Sequence, residues 1–222
     1  MAPISTHPLF NKIKDYKFFL CSTSPRRLEI LNQMGFNPEI KPSNFEENLS
    51  KDELSVQDYV LQTSKGKIDA VWEEMKANPA KYGSEKMLLL ASDTVVTNED
   101  KIYEKPKTES ENAKVIKRLR DSDHPVEVIS AVWLISCDEG FTNFKSESFT
   151  EVTEIIMDKT VTDEFIDAYC KTQEGWEVAG GFRIQGSGSL MMKGINGDYF
   201  NVVGLPNGKT FKGICKILDC TL

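Results

Sequence analysis

Apolar positions along this chain follow two periods, and the switches between them mark out its elements. A continuous run at Phe18 to Leu20 predicts a buried strand over 18–22, and the pattern Leu28, Ile30, Leu31, Met34 predicts a helix over 24–34. Ser24 can cap that helix, Pro25 is preset for its first turn, and Gly35 suits a left-handed stop. Pro38 and Pro42 keep the next stretch extended. From about Asp52 to Ala77, the residues Leu54, Val56, Tyr59, Val60, Ile68, Val71, Trp72 and Met75 share one helical face. Gly66 weakens the middle of that helix, and Asn78-Pro79 ends it.

The run Met87 to Ala91, with Val95-Val96 beyond it, predicts a buried strand over 86–96, interrupted at Ser92-Asp93-Thr94. Residues 109–119 are amphipathic helix. Strands are expected over 126–137 and 147–157, joined as a hairpin through Asp138-Glu139-Gly140, and a helix over 162–170. The glycine-rich stretch Gly180 to Gly188 leads to predicted strands at 189–193 and 199–203, and residues 206–218 close the chain as a helix. Strands and helices alternate without internal repeats. The expected fold class is therefore α/β: a mixed, strongly twisted sheet flanked by helices and split by a cleft into two lobes. Residues 1–17 read as an N-terminal arm and 18–222 as a single domain, with no linker at which to divide it.

At 222 residues and 40% apolar content the chain can bury a substantial core. Its net charge of −7 argues against non-specific binding to nucleic acid or an anionic membrane, so any anionic ligand needs a local cationic pocket. Cys21, Cys137, Cys170, Cys215 and Cys220 are odd in number and contain no C-x-x-C, which fits a reducing compartment better than a disulfide framework or zinc site. Met1 to Lys17 lacks an apolar core of signal-peptide length, and no run approaches the roughly 20 residues that span a bilayer. The expected setting is soluble and cytoplasmic.

A cationic pocket has a candidate in Leu20-Cys21-Ser22-Thr23-Ser24-Pro25-Arg26-Arg27. The free N–H groups of a helix start, the Ser22 and Ser24 hydroxyls and the guanidiniums of Arg26 and Arg27 would face one space, which suits phosphate. Alone, Ser-Pro-Arg-Arg reads more often as a capped surface helix. Set at the end of a buried strand in an acidic chain, the arginines read better as ligands. Asp93 is the second candidate, because a carboxylate following Leu88-Leu89-Leu90-Ala91 is costly unless it is paired, hydrogen-bonded or bound to a cation. Thr94 beside it contacts a ligand or simply continues the strand. Glu46, Glu47, Lys65, Lys67 and Lys105 each read singly as solvated surface. Together they supply what phosphoryl chemistry asks for: hard oxygens for Mg²⁺ or Mn²⁺ and cations for phosphate oxygens. Gln185, flanked by glycines, has an amide that could read a base edge. His7 and His124 make neither a metal cluster nor a triad, and no P-loop, dinucleotide fingerprint or G-x-S-x-G elbow is present.

Taken together, these segments resemble the Maf family of nucleoside triphosphate pyrophosphatases. The matching stretches are Leu20 to Arg27, Pro42 to Glu47, Tyr59 to Lys67, Ala91 to Val95, Lys105-Pro106, Val128 to Val132, Ile184-Gln185-Gly186 and Ile195 to Pro206, in the family's order over nearly the whole chain. The resemblance implies a cleft fold like that of inosine triphosphatases. It also implies hydrolysis of a nucleoside triphosphate between its α and β phosphates with help from a divalent cation, Mg²⁺ or Mn²⁺. It places the catalytic acid on Asp93, further catalytic groups on Glu47, Lys67 and Lys105, and metal ligation on Glu47 and Asp93. Substrate contacts would fall to Ser22, Ser24, Arg26, Arg27, Thr94 and Gln185. Arg26, Thr94 and Gln185 resemble the branch acting on dTTP and UTP rather than the branch acting on 7-methyl-GTP.

There are departures from the family pattern. Val178 stands where many relatives have lysine in Asp-Lys-Ala-Gly, Ser92 replaces a usual alanine, and the stretch between His124 and Val128 is longer by two residues. The Val178 change keeps open a nucleotide-binding module without turnover. A pyrophosphatase for another non-standard nucleotide also stays open, as does a docking protein using Ser-Pro-Arg-Arg. The expected partner is a small-molecule nucleotide, with no nucleic acid and no membrane, and an exposed apolar strand or helix face could support a homodimer.

Overall fold

A computed structural model describes residues 6–51 and 53–222. In chain order its main elements are α1 (Pro8–Lys12), β1 (Tyr16–Leu20), α2 (Pro25–Gln33), β2 (Glu39–Ile40), α3 (Val56–Lys76), α4 (Pro79–Tyr82), β3 (Lys86–Asn98) and β4 (Lys101–Tyr103). There follow α5 (Glu109–Asp121), β5 (Val126–Cys137), β6 (Phe144–Met157), α6 (Asp163–Lys171), β7 (Met192–Asn196), α7 (Tyr199–Val203) and α8 (Asn207–Ile217). The strands form one sheet in the order β2-β1-β3-β5-β6-β7, with β4 also paired to β3. β1 is parallel to β2 and β3, and the remaining pairs are antiparallel. The mixed α/β sheet flanked by helices is the class the sequence predicts.

The way this sheet forks decides where a site can form. On one side β3 pairs with β5 from Met87 to Thr97 without a break. On the other side β1 pairs only as far as Leu20↔Leu90, and β4 takes over at Val96↔Tyr103. Among the described residues, β3 therefore has no strand neighbour on that side over 91–95. The interruption expected at Ser92-Asp93-Thr94 is thus absent from β3 itself. What ends there is the neighbour, and the chain leaving β1 turns off into α2.

Two-residue alternation along the long strands distributes the core over both faces and both sides of the fork. Below it, Leu20, Leu88, Leu90 and Leu134 pack with Leu31 of α2 and Ile214 of α8, while Phe19, Met87, Leu89 and Ile135 lie under Ile68, Val71, Trp72 and Met75 of α3. Above it, Val96, Val128 and Ile155 meet Ile116 and Leu119 of α5 and Ile166 of α6, while Val95, Ile129 and Ala131 meet Val56, Tyr59 and Val60 at the start of α3. Two lobes thus share β3 and β5, and the fork lies between them.

Several local expectations change. Residues 1–5 of the predicted arm lie outside the described residues, and Pro8–Lys12 is a helix whose Leu9 and Phe10 are buried in the core. The long helix starts at Val56, where Ser55 Oγ accepts a hydrogen bond from the Asp58 N–H at 3.1 Å; Asp52, its expected start, lies outside the described residues. Residues 199–203 are helix instead of strand. Asp198 caps them through the Phe200 N–H at 2.8 Å, and Gly204, at φ 128°, ends them. A 3₁₀ turn over Ser187–Met191 replaces the start of the strand expected at 189–193. β2, α4 and β4 are too short to show a period in the sequence.

Candidate active site

The fork opens into a cavity of about 720 Å³. Its wall is built from the β1–α2 junction, the free stretch of β3, the loop before α3, the segment around 174–183 and the end of α7.

At the β1–α2 junction the chain behaves as its residues dictate. Ser24 caps α2, its Oγ accepting from the Arg27 N–H at 3.5 Å, and Pro25 occupies the first turn. The Arg27 guanidinium then reaches three acceptors. Nε donates to the Gly204 carbonyl at 3.0 Å, Nη1 to Ser22 Oγ at 3.1 Å and Nη2 to Thr94 Oγ1 at 3.2 Å. Thr94 Oγ1 in turn lies 2.9 Å from Ser130 Oγ and donates to the Gly204 carbonyl at 3.2 Å. Thr94 and Ser22 thus orient Arg27, and one planar fork ties α2, β3 and α7 together. Desolvation by burial pulls the pKa of Arg27 down, while the Asp93 carboxylate pushes it up.

The acidic side of the cavity centres on Lys67. Its Nζ lies 2.7 Å from Asp93 Oδ1 and 3.0 Å from Glu47 Oε1, with the side chains of Lys67 and Asp93 only 13% and 11% exposed. Gly66 explains how Glu47 gets there. A Cβ at Gly66 would collide with the Phe45 ring, so glycine lets the loop carrying Phe45 close onto α3 and bring Glu47 to Lys67. The weak point in the helix is therefore a docking point. Two carboxylates facing one ammonium leave a net negative charge, which a cation can balance. Among the described residues no group of three or more His, Cys, Asp or Glu side chains could hold a metal ion. A divalent cation would therefore rely on Asp93 and Glu47, with phosphate oxygens and water completing its shell. This donor set suits Mg²⁺, which takes one or two carboxylates plus substrate phosphates.

The remaining wall is cationic. Arg26 and Lys105 both line the cavity, and neither makes an ion pair among the described residues. Desolvation lowers the pKa of Arg26, and the nearby Arg183 charge lowers it further. Burial pushes the Cys21 thiol up to about 12, so this wall residue stays protonated at neutral pH and is no nucleophile.

Ser22, Ser24, Arg26, Arg27, Glu47, Lys67, Asp93, Thr94 and Lys105 all line this one cavity, as does Val178. Gln185 does not. The Gly186 N–H donates to the Arg183 carbonyl at 3.3 Å, reversing the chain there and leaving Gln185 exposed at the tip of the turn. Lys65 pairs instead with Asp69, and the exposed Glu46 is off the wall. Sequence reasoning missed Glu174, Trp176 and Arg183, which line the cavity. Arg183 had a visible sign, a lone charge between the apolar Phe182 and Ile184.

A family model described as Maf-like protein matches residues 17–217. The chain belongs to the Maf-like family. Relatives of this chain include the dTTP/UTP pyrophosphatase of Saccharomyces cerevisiae, 38% identical over 208 residues that cover 90% of this chain and 89% of the relative. The dTTP/UTP pyrophosphatase of Schizosaccharomyces pombe is 36% identical over 92% of this chain and 85% of its own length. That of Thermoanaerobacter sp. is 35% identical over 93% of this chain and 99% of its own length. Among solved structures, the Ham1 protein of Staphylococcus aureus aligns over 62% of this Maf-like chain and 71% of that chain with a TM-score of 0.32 and 13% identity, a likeness too distant to weigh.

Proposed function

We propose that this chain hydrolyses dTTP and UTP to the nucleoside monophosphate and pyrophosphate. One observation carries the reading: a single cavity sets Arg26, Arg27 and Lys105 beside the Asp93–Lys67–Glu47 cluster, so cations for a polyphosphate and carboxylates for water and metal share one space. The choice of dTTP and UTP rests on the activities by which the relatives are named.

In this reading Arg26, Arg27 and Lys105 neutralise phosphate oxygens, because charge that spreads onto those oxygens in the transition state is best met by fixed cations. Asp93 orients the attacking water and takes its proton as the water oxygen bonds to phosphorus at the α–β anhydride. The bond to the departing phosphate oxygen breaks, and pyrophosphate leaves. Lys67 holds Asp93 and Glu47 in position. A divalent cation, Mg²⁺ or Mn²⁺, held by Glu47 and Asp93 would supply charge stabilisation and lower the pKa of the attacking water. We place the protein in the cytoplasm. All five cysteines are unpaired, and no described helix is long and apolar enough to cross a membrane.

A panel of dTTP, UTP, CTP, ATP, GTP and 7-methyl-GTP, assayed with and without a chelator, tests the reading. Turnover should be highest for dTTP and UTP and should vanish with the chelator. Preference for a purine, or activity indifferent to the chelator, would overturn the corresponding part.

A further inference from the structure

The arginines of this chain divide cleanly. Arg118 and Arg120 make ion pairs with carboxylates, whereas Arg26, Arg27 and Arg183 make none among the described residues, and those last three all line the cavity. Arg27 already gives three of its N–H groups to internal acceptors, all of them uncharged. Arg183 differs, because its Nε is buried without a hydrogen-bond partner. The Arg183 side chain makes neither an ion pair nor a hydrogen bond among the described residues, so its charge on the cavity wall is left for an anion.

Its position is nevertheless firmly built. The Arg183 N–H donates to the Tyr169 hydroxyl at 3.1 Å. On the other side Gly188 packs so closely that a Cβ there would fall 2.5 Å from the Arg183 carbonyl oxygen. Glu174, the acid on the same wall segment, feels the Arg183 charge but makes no ion pair with it, its carboxylate accepting the N–H groups of Ser187 and Gly188 at 3.1 and 3.0 Å. Val178 adds no charge to this wall. Arg26 and Arg183 come close enough for their like charges to oppose one another, which Arg27, with Asp93 near it, is spared in part. Two guanidiniums on separate chain segments that face one space suit a multiply charged anion. Most of the charge of a nucleoside triphosphate lies on the two phosphates that leave as pyrophosphate, so a pair of guanidiniums suits that end of the substrate best.

We propose that Arg183, together with Arg26, grips the pyrophosphate end of the triphosphate. This rests on the pyrophosphatase reading above and adds residue 183 to its phosphate contacts.

Arg183→Gln and Arg183→Lys, checked for folding by thermal melting, test it through product inhibition. Arg183→Gln should raise the KM for UTP and weaken inhibition by pyrophosphate about tenfold, the effect of losing one charge-assisted hydrogen bond, with inhibition by UMP unchanged. Arg183→Lys should recover part of both. Unchanged pyrophosphate inhibition, or weakened UMP inhibition in its place, would overturn the proposal while leaving the pyrophosphatase reading intact. Should the native protein turn over no nucleotide, calorimetric titration with pyrophosphate still compares it with Arg183→Gln. Equal affinity for the two would overturn the proposal by itself.

Discussion

Lys67 Nζ stands 2.7 Å from Asp93 Oδ1, joining the middle of α3 to the stretch of β3 that lacks a neighbour strand on one side. Both side chains are largely shielded, so each would be costly alone, and the pair makes a buried carboxylate tolerable where the sheet forks. Glu47 joins the same ammonium at 3.0 Å but is half exposed, which leaves the cluster open toward the cavity.

Asp93→Asn keeps the shape of the side chain and removes its capacity to take a proton. kcat should fall by a factor of about 10² to 10⁴, with cooperative unfolding retained. Steady-state kinetics beside a urea melt check this, and near-native kcat in the folded variant would remove Asp93 from the chemistry.

Arg27→Lys preserves charge but not the fork. Lysine cannot donate at once to the Gly204 carbonyl, Ser22 and Thr94 in the observed planar arrangement. The variant should lose about 1–3 kcal/mol of stability, the usual penalty for buried polar groups left without partners, and bind substrate more weakly. A urea midpoint equal to that of the native protein would show that the network carries no stability.

Glu174→Gln makes a pH-dependent prediction. Burial opposes ionisation of Glu174, but the N–H groups of Gly188 and Ser187 outweigh it and hold the carboxyl below its ordinary value of 4.5. A carboxyl depressed on folding contributes stability that is present in full above the unfolded pKa and is lost as pH falls through the folded one. Glu174→Gln should therefore be less stable at pH 7 by about 1–3 kcal/mol, and the gap should close as pH drops below about 4.5. Denaturation at a series of pH values checks it, and a gap that persists at low pH contradicts it.

The long apolar runs were legible because β3 and β5 are buried on both faces, and the start of α2 was legible because Ser24 and Pro25 act locally. The helix at 199–203 was not. Tyr199, Phe200, Val202 and Val203 favour strand by residue type, and the helix is held by a tertiary contact that no local pattern reveals. The Asn201 side chain donates to the Val128 carbonyl at 2.9 Å and to Thr153 Oγ1 at 3.1 Å. The same limit applied to the cleft. Ser22, Arg27 and Asp93 stood out as residue types beside buried runs, whereas Lys67 read singly as solvated surface. Arg183 lines the cavity and Gln185 does not, a difference set by a turn closed by Gly186 that residue type alone does not reveal.

In the proposed reaction the cations and carboxylates of this cavity act together on the α–β anhydride of a nucleoside triphosphate. Phosphorus NMR of UTP incubated with the protein and Mg²⁺ tests it most directly. The expected result is UMP and pyrophosphate in equal amounts, with no UDP. Release of UDP and inorganic phosphate, or intact UTP after prolonged incubation, would contradict it.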